Sequence, residues 1–336
     1  MNKRSLEIFL ICNNEFPFFW VIVLIGRKEW SEVWMVYKER EAPFRMSLMQ
    51  SLKNRLPLSR KDNKKLSNAI KGFEGECFFD SLTEKLTCDC EVLNDLLLEV
   101  NDSEFQIDSL VMTGEGITLY EVKNYEGNYI YEGGSIRLLT SKQDYLNPSE
   151  QTNRAVILFK QWLALHHFNF KVQAYVVFVN KHFSLFQAPA DIGILLPGML
   201  DKHFERVNNI TTPIGKEHYR LAQKLCEQHI SRSSNIKLPK YNYDNLKKQV
   251  YCNQCSGWIR SIGRRMNTCQ KCGHTELNSK TILRHIREFQ LLFPNWKLTT
   301  PIIYEWCGGL FSKKSIQLVL SKNFKASGVK RARYYY

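Results

Sequence analysis

The chain has 336 residues, is 44% hydrophobic and contains ten cysteines, which excludes a disordered, collagen-like or disulfide-knotted protein. At about 150 residues per domain, this length suggests two domains with small appendages. Lys+Arg exceed Asp+Glu by 14, but unevenly, because residues 236–336 hold 19 Lys+Arg and four acids while residues 1–235 carry a net charge of −1. A near-neutral body followed by a basic third predicts a polyanionic partner, most often nucleic acid.

Residues 1–50 are predicted to be an N-terminal extension. Their apolar run Phe16 to Gly26 follows a polar interruption at residues 13–15 and is about half of the roughly 20 residues that a membrane span needs. Three alternatives stay open for this stretch, namely a membrane anchor, a signal peptide and a translation start at Met35. We expect an untargeted cytoplasmic protein without a membrane partner, because scattered cysteines fit a reducing compartment.

Helical and strand-like patterns alternate along residues 46–230. The predicted helices are 46–71, Gly75 to Leu86, one that opens at Asn147-Pro148, and Gly215 to Ile230. The predicted strands are Glu91 to Val100, Glu104 to Met112, Gly116 to Lys123, 128–131, 135–139, 172–179 and 192–196. This order predicts one α/β domain over residues 51–235, closed by a polar linker at residues 231–235.

Three charged residues on neighbouring predicted strands form a candidate site. Glu121 and Lys123 alternate with Val122 and therefore point to one face of their strand, and Asp108 lies on the preceding strand. Two carboxylates suit a hard ion such as Mg²⁺, and a lysine beside them can stabilise charge on a phosphate. The alternative is an ordinary solvated strand face, where an acid two residues from a lysine is common.

Five ordered blocks of the sequence resemble the nuclease-related domain, called NERD. They are Gly72-Phe73-Glu74-Gly75-Glu76, Val92-Leu93-Asn94-Asp95, Phe105-Gln106-Ile107-Asp108, the run from Gly116 to Asn124, and Asn147-Pro148 followed by Gln151. The resemblance covers roughly residues 70 to 190. It implies a PD-(D/E)xK restriction-endonuclease-like fold, with a mixed sheet flanked by helices.

The same resemblance implies roles for individual residues. Asp108 and Glu121 would be metal ligands, Lys123 the catalytic lysine, Glu76 an auxiliary acid and Gln151 a glutamine near the site. Two alternatives stay open. Glu76 could be an exposed acid in the first turn of its helix, and Gln151 an ordinary surface amide.

Two Cys-x-x-Cys pairs, separated by 13 residues, predict a metal site in residues 236–278. The four thiolates of Cys252, Cys255, Cys269 and Cys272 satisfy tetrahedral Zn²⁺, and the stretch resembles a zinc ribbon. A redox Cys-x-x-Cys would require a thioredoxin-like unit, which the surrounding pattern does not predict. His274 is an alternative ligand.

Basic residues in the last third are candidates for nucleic-acid contact. Arg260, Arg264 and Arg265 follow Trp258 between the cysteine pairs, and the alternative there is a solvated basic loop. Residues 279–336 predict a long helix stopped by Pro294, a helix capped by Thr300 that ends at Gly308-Gly309, and a last helix capped by Ser312. The order resembles a helix-turn-helix, although many three-helix units do not bind DNA. Its predicted outward-facing residues include Lys313, Lys314, Gln317 and Lys325.

We therefore expect a Mg²⁺- or Mn²⁺-dependent nuclease that acts on DNA rather than RNA. It would carry one structural zinc and a basic helical appendage, and would need no small-molecule cofactor. The alternative is a catalytically silent DNA-binding or scaffold protein that retains the nuclease fold.

Overall fold

The computed structural model describes residues 36–140, 144–145, 148–189, 192–230, 238–260, 262–329 and 332–336. The apolar N-terminal run and the polar linker at residues 231–235 lie outside these residues. The helices are α1 (Phe44–Arg55), α2 (Arg60–Thr83), α3 (Pro148–Leu165), α4 (Leu200–Asn208), α5 (Lys216–Gln228), α6 (Asn278–Leu292), α7 (Thr300–Trp306) and α8 (Lys313–Asn323).

The strands lie mostly in the first two thirds of the chain. They are β1 (Val36–Lys38), β2 (Cys90–Val100), β3 (Ser103–Thr113), β4 (Gly116–Lys123), β5 (Gly127–Glu132), β6 (Ser135–Leu138), β7 (Asp144–Tyr145), β8 (Val172–Phe178), β9 (Phe183–Phe186), β10 (Ile194–Leu195), β11 (Val250–Tyr251), β12 (Trp258–Ile259), β13 (Met266–Thr268), β14 (Thr275–Leu277), β15 (Ala326–Ser327) and β16 (Tyr334–Tyr335).

The described residues form two compact units. The sheet unit comprises residues 36–44 and 67–230, and the cysteine unit comprises residues 45–66 and 238–336. The domain boundaries expected at residues 51 and 236 stay predictions. Residues 36–50, assigned by sequence to an extension, contribute β1 to the sheet unit and half of α1 to the cysteine unit.

The sheet unit is built on a six-stranded mixed sheet in the order β1-β2-β3-β4-β8-β10. The β2-β3 and β3-β4 pairs are antiparallel, whereas β4-β8 and β8-β10 are parallel. A second sheet, β7-β6-β5-β9, contains the predicted hairpin, whose turn residues Gly133 and Gly134 both have positive φ. The predicted mixed sheet is confirmed.

Helices cover both faces of the six-stranded sheet. Side chains such as Trp162 of α3 and Leu221 of α5 share one core with Leu119 of β4, while Phe79 of α2 shares the opposite core with Tyr120. Because successive side chains of a strand alternate between faces, Glu121 and Lys123 lie on the Leu119 side. The core therefore fixes the face on which the acid and the lysine stand.

Helix α2 joins parts of two predicted helices, because it runs without a break from Arg60 to Thr83. The hydroxyl of Ser59 accepts the backbone N–H of Asp62 at its start. The helix predicted over residues 46–71 is instead divided, since α1 ends at Arg55. Glu76 consequently lies well inside the helix, and the alternative of a first-turn acid is wrong.

The described residues of the cysteine unit include three two-stranded antiparallel sheets, β11-β12, β13-β14 and β15-β16. They also include three contacting helices, α6, α7 and α8. The predicted inward positions Ile282, Ile286 and Phe289 of α6 are fully buried. Ser312 caps α8 as predicted, with its hydroxyl 3.1 Å from the N–H of Ser315. The cap of α7 is Thr299, one residue before the predicted Thr300, and its side chain accepts the N–H of Ile302.

Candidate active site and metal centre

The end of β4 brings an acid and a lysine into direct contact. The Nζ of Lys123 donates to Oε1 of Glu121 at 2.6 Å and to Oε1 of Gln151 at 3.3 Å. Gln151 lies in the first turn of α3, where its side chain is exposed. All three predicted positions thus meet on the α3 side of the sheet.

Asp108 lies at the point where β3 separates from β4. The paired register of the two strands ends at Ser109 and Tyr120, and Oδ2 of Asp108 then accepts the backbone N–H of Val122 at 2.8 Å. This bond places a buried carboxylate beside the residue that follows Glu121. Asp108 and Glu121 are both less than a tenth exposed.

Glu76 reaches this region from α2 and is held by an arginine. Nη1 of Arg40 donates to Oε2 of Glu76 at 2.8 Å, and its Nε and Nη2 form a fork with both carboxylate oxygens of Asp80 at 2.8 and 3.0 Å. Nη2 also donates to the backbone carbonyl of Asp108 at 2.7 Å. The arginine therefore ties α2 to the strand that carries Asp108.

The acids of the site destabilise one another's charged forms. Burial and the neighbouring Asp108 raise the pKa of Glu121 to about 7, and the same two causes raise the pKa of Glu76 to about 7. Burial also raises the pKa of Asp108. For Lys123, burial acts to lower the pKa, but Glu121 outweighs it and the pKa is raised. A cation placed among these carboxylates would relieve their repulsion.

The donor set fits a hard divalent ion with few protein ligands. Asp108 and Glu121 offer carboxylate oxygens, and Mg²⁺ commonly binds one or two carboxylates while keeping waters and substrate phosphates as its other ligands. Among the described residues, three or more candidate ligand atoms lie within 4.8 Å of one another only at the four cysteines. Asp108 and Glu121 could thus supply two protein ligands to such an ion.

The two cysteine pairs converge as predicted. The Sγ atoms of Cys252 and Cys272 are 3.7 Å apart, and those of Cys255 and Cys269 are 3.5 Å apart. Four sulfurs arranged tetrahedrally at about 2.3 Å around zinc would stand about 3.8 Å from one another. The cluster can therefore hold a zinc ion. His274 lies outside the cluster.

Backbone geometry supports each cysteine knuckle. The N–H of Gln254 points to Sγ of Cys252 and the N–H of Lys271 to Sγ of Cys269, both at 3.4 Å. Gly273 takes a φ of +74° in the second knuckle, whereas in the first knuckle Ser256 takes the positive φ of +53°. Gly257 lies in a crowded position, since a Cβ there would stand 3.2 Å from Sγ of Cys255.

The predicted nucleic-acid contacts are all exposed, and they share a cationic or polar end group. They are Arg260, Arg264, Arg265, Lys313, Lys314, Gln317 and Lys325. A cavity of about 630 Å³ adjoins the turn between α7 and α8, with Lys248, Tyr304 and Lys313 in its lining. The Nζ of Lys313 lies 5.2 Å from the centre of the Tyr304 ring. Gly308 allows this turn to approach closely, because a Cβ there would stand 2.5 Å from the carbonyl of Lys248.

Sequence reasoning missed Arg40 and Asp80. Arg40 precedes its partners by 36 to 68 positions, so no spacing rule could connect them. Asp80 lies one helical turn after Glu76, a spacing that places both on one face of α2. This four-residue spacing is the sequence feature that could have identified Asp80 as a neighbour of Glu76.

Residues 71–179, about a third of the chain, match the family model of the nuclease-related domain. No curated protein and no solved structure matches the chain. Among the described residues, no helix combines the length and apolar character needed to cross a membrane. The matched segment includes Glu76, Asp108, Glu121, Lys123 and Gln151 but neither Arg40 nor the cysteine pairs. Residues 71–179 are therefore similar to a nuclease-related domain, which implies a nuclease-related function and interaction with nucleic acid.

Proposed function

We propose that this protein is a metal-dependent nuclease that hydrolyses phosphodiester bonds of DNA. The observation that carries this proposal is the contact of Glu121 with Lys123 at 2.6 Å, beside a carboxylate of Asp108 that is itself fixed to Val122. A solvated strand face would leave these groups exposed, whereas here Asp108 and Glu121 are buried. Burying two acids without a compensating role is costly.

Asp108 and Glu121 would hold Mg²⁺ or Mn²⁺. Such an ion, when bound, polarises a phosphate and lowers the pKa of a water. The N–H of Val122 fixes the orientation of the Asp108 carboxylate, so one ligand is in place before an ion arrives. Glu76 adds a further negative charge nearby as an auxiliary acid.

Lys123 would stabilise the charge that develops on the phosphate oxygens. Its raised pKa keeps the ammonium protonated at neutral pH, and its contacts with Glu121 and Gln151 restrict its position. Preorganised charge of this kind costs no reorganisation during the reaction. Gln151 acts in this scheme by orienting the lysine.

The test is incubation of purified protein with labelled single- and double-stranded DNA and RNA in Mg²⁺ or Mn²⁺. Glu121→Gln should abolish cleavage, and Lys123→Met should lower it about 100- to 1,000-fold, as loss of one preorganised donor does. Glu99→Gln, which changes an exposed acid on β2, is the matched control and should cut normally. Protein that binds DNA but cuts nothing would favour the silent scaffold instead.

The cysteine cluster would hold one structural zinc per chain. A reducing cytoplasm would keep its thiols available for the metal. Apparent zinc affinities of roughly 10–16 kcal/mol in small zinc domains mean that chelation should unfold the hairpins around the cluster. Elemental analysis should find one zinc in the wild type and none in Cys255→Ser. The absence of zinc from gently purified wild-type protein would contradict this assignment.

The basic residues of the cysteine unit would bind the DNA backbone. The surplus of 15 positive charges over residues 236–336 supports this, as does the exposure of the seven predicted contact residues. Phosphate contacts carry no sequence information, so this surface would supply affinity rather than specificity. The comparative cleavage of DNA and RNA tests the preferred substrate.

A further inference from the structure

Arg40 lies outside the segment that matches the nuclease-related domain. Its side chain is 2% exposed, yet it carries a full positive charge. Its guanidinium donates hydrogen bonds to Glu76, to Asp80 and to the backbone carbonyl of Asp108, which lie in or beside the candidate site. A buried cation with this set of partners acts on the site itself.

Arg40 occupies the carboxylates that a second metal ion would need. Both oxygens of Asp80 and one oxygen of Glu76 accept hydrogen bonds from it at 2.8 to 3.0 Å. Forked arginine–carboxylate pairs are among the strongest charge-assisted hydrogen bonds. A metal ion bound to these oxygens would compete with the guanidinium for their lone pairs.

The charges of the site leave room for one divalent ion. When all four are ionised, as with a metal bound, Glu76, Asp80, Asp108 and Glu121 supply four negative charges, and Arg40 with Lys123 supplies two positive charges. Two negative charges remain, which one Mg²⁺ or Mn²⁺ would neutralise. Asp95 and Lys38, which both act electrostatically on Asp80, add one charge of each sign and do not alter this balance.

We propose that Arg40 takes the place of a second cation, so that the site binds a single divalent ion through Asp108 and Glu121. Glu76 is then a partner of Arg40 rather than a metal ligand. Arg40 is a positioning residue, because it acts on the site through the acids of α2 and the backbone of β3. This inference rests on the proposed metal-dependent function.

The experiment counts Mn²⁺ ions bound to zinc-loaded full-length protein, using the electron paramagnetic resonance signal of free Mn²⁺. The wild type should bind one equivalent. Arg40→Gln should bind a second equivalent, because it frees the carboxylates of Glu76 and Asp80. Arg40→Lys retains the charge and is the matched control, which should stay at one equivalent.

Two further variants retain Arg40, so they test the single-ion site even if Arg40→Gln fails to fold. Glu76→Gln should still bind one equivalent, with a loss in affinity below the roughly 10- to 100-fold that removal of an outer partner of a metal ligand typically causes. Glu121→Gln should bind none. Together these variants distinguish a direct metal ligand, Glu121, from an acid that is bound by Arg40, Glu76.

The outcomes distinguish this inference from the proposed function. Two equivalents in the wild type, or loss of all Mn²⁺ binding in Glu76→Gln, would overturn the role of Arg40 while leaving a metal-dependent nuclease intact. No Mn²⁺ binding by the wild type would overturn both. One equivalent in the wild type and in Glu76→Gln supports the single-ion site.

Discussion

Arg55 is fully buried in the cysteine unit, and its replacement by methionine should destabilise that unit strongly. Its Nη2 lies 2.5 Å from Oε2 of Glu288, and its Nη1 donates to the backbone carbonyls of Lys247, Gln249 and Trp306. The guanidinium carbon also lies 3.8 Å from the centre of the Trp306 ring. One side chain thus satisfies a buried carboxylate and three buried or half-buried carbonyls.

The size of the effect follows from what Arg55→Met leaves behind. Removing one partner of a buried ion pair typically costs about 3–5 kcal/mol, because the other charge stays buried without compensation. That is a large part of the roughly 5–15 kcal/mol that stabilises a typical domain. Adding Glu288→Gln removes the stranded charge, so the double variant should recover about 0.5–3 kcal/mol.

Urea denaturation followed by tryptophan fluorescence measures these free energies of unfolding. Arg287→Met, which changes the exposed residue beside Glu288, is the matched control and should leave stability nearly unchanged. A loss below about 1 kcal/mol in Arg55→Met would be typical of a surface ion pair and would refute the reasoning. A double variant less stable than Arg55→Met would refute it as well.

Two further predictions concern pH and salt. Burial raises the pKa of Glu91 from 4.5 to about 7, so the folded state retains a proton that the unfolded state releases, and stability should fall as the pH rises through this window. At about 1.4 kcal/mol per pKa unit, Glu91→Gln should remove up to about 3 kcal/mol of this pH-dependent loss of stability. A variant whose melting temperature depends on pH as the wild type's does would contradict the role of Glu91. Lys313→Ala with Lys314→Ala should flatten the slope of log K against log[salt] for duplex DNA by up to about two units. Replacing Lys64 and Lys65, another exposed adjacent pair, by alanine is the control. Equal slopes in the two double variants would show that α8 does not contact DNA.

The sequence was sufficient for features that depend on local pattern. The strand that ends in Glu121 and Lys123 was predictable because alternation with buried residues fixes its faces. The cysteine cluster was predictable because short Cys-x-x-Cys spacing brings two thiolates together, and burial of Ile282 and Ile286 followed from helical periodicity. In each case the determining residues lie within a few positions of one another.

Features that depend on long-range pairing were not predictable. The strand β1 is three residues long and pairs in parallel with β2, more than fifty positions later. No turn sequence between adjacent strands therefore predicts it. Arg40 was missed for the same reason, since its partners are defined by the fold rather than by spacing.

These long-range pairs determine how the protein can be dissected. A fragment of residues 51–235, the natural choice from sequence, would lack β1 and Arg40, so Glu76 and Asp80 would lose the cation that neutralises them. A fragment of residues 236–336 would lack Arg55 and leave the Glu288 carboxylate buried without a partner. Loss of DNA binding or cleavage in either fragment would then report misfolding rather than a division of labour. Point substitutions at exposed residues such as Lys313 avoid this ambiguity, because they change charge without removing a buried partner.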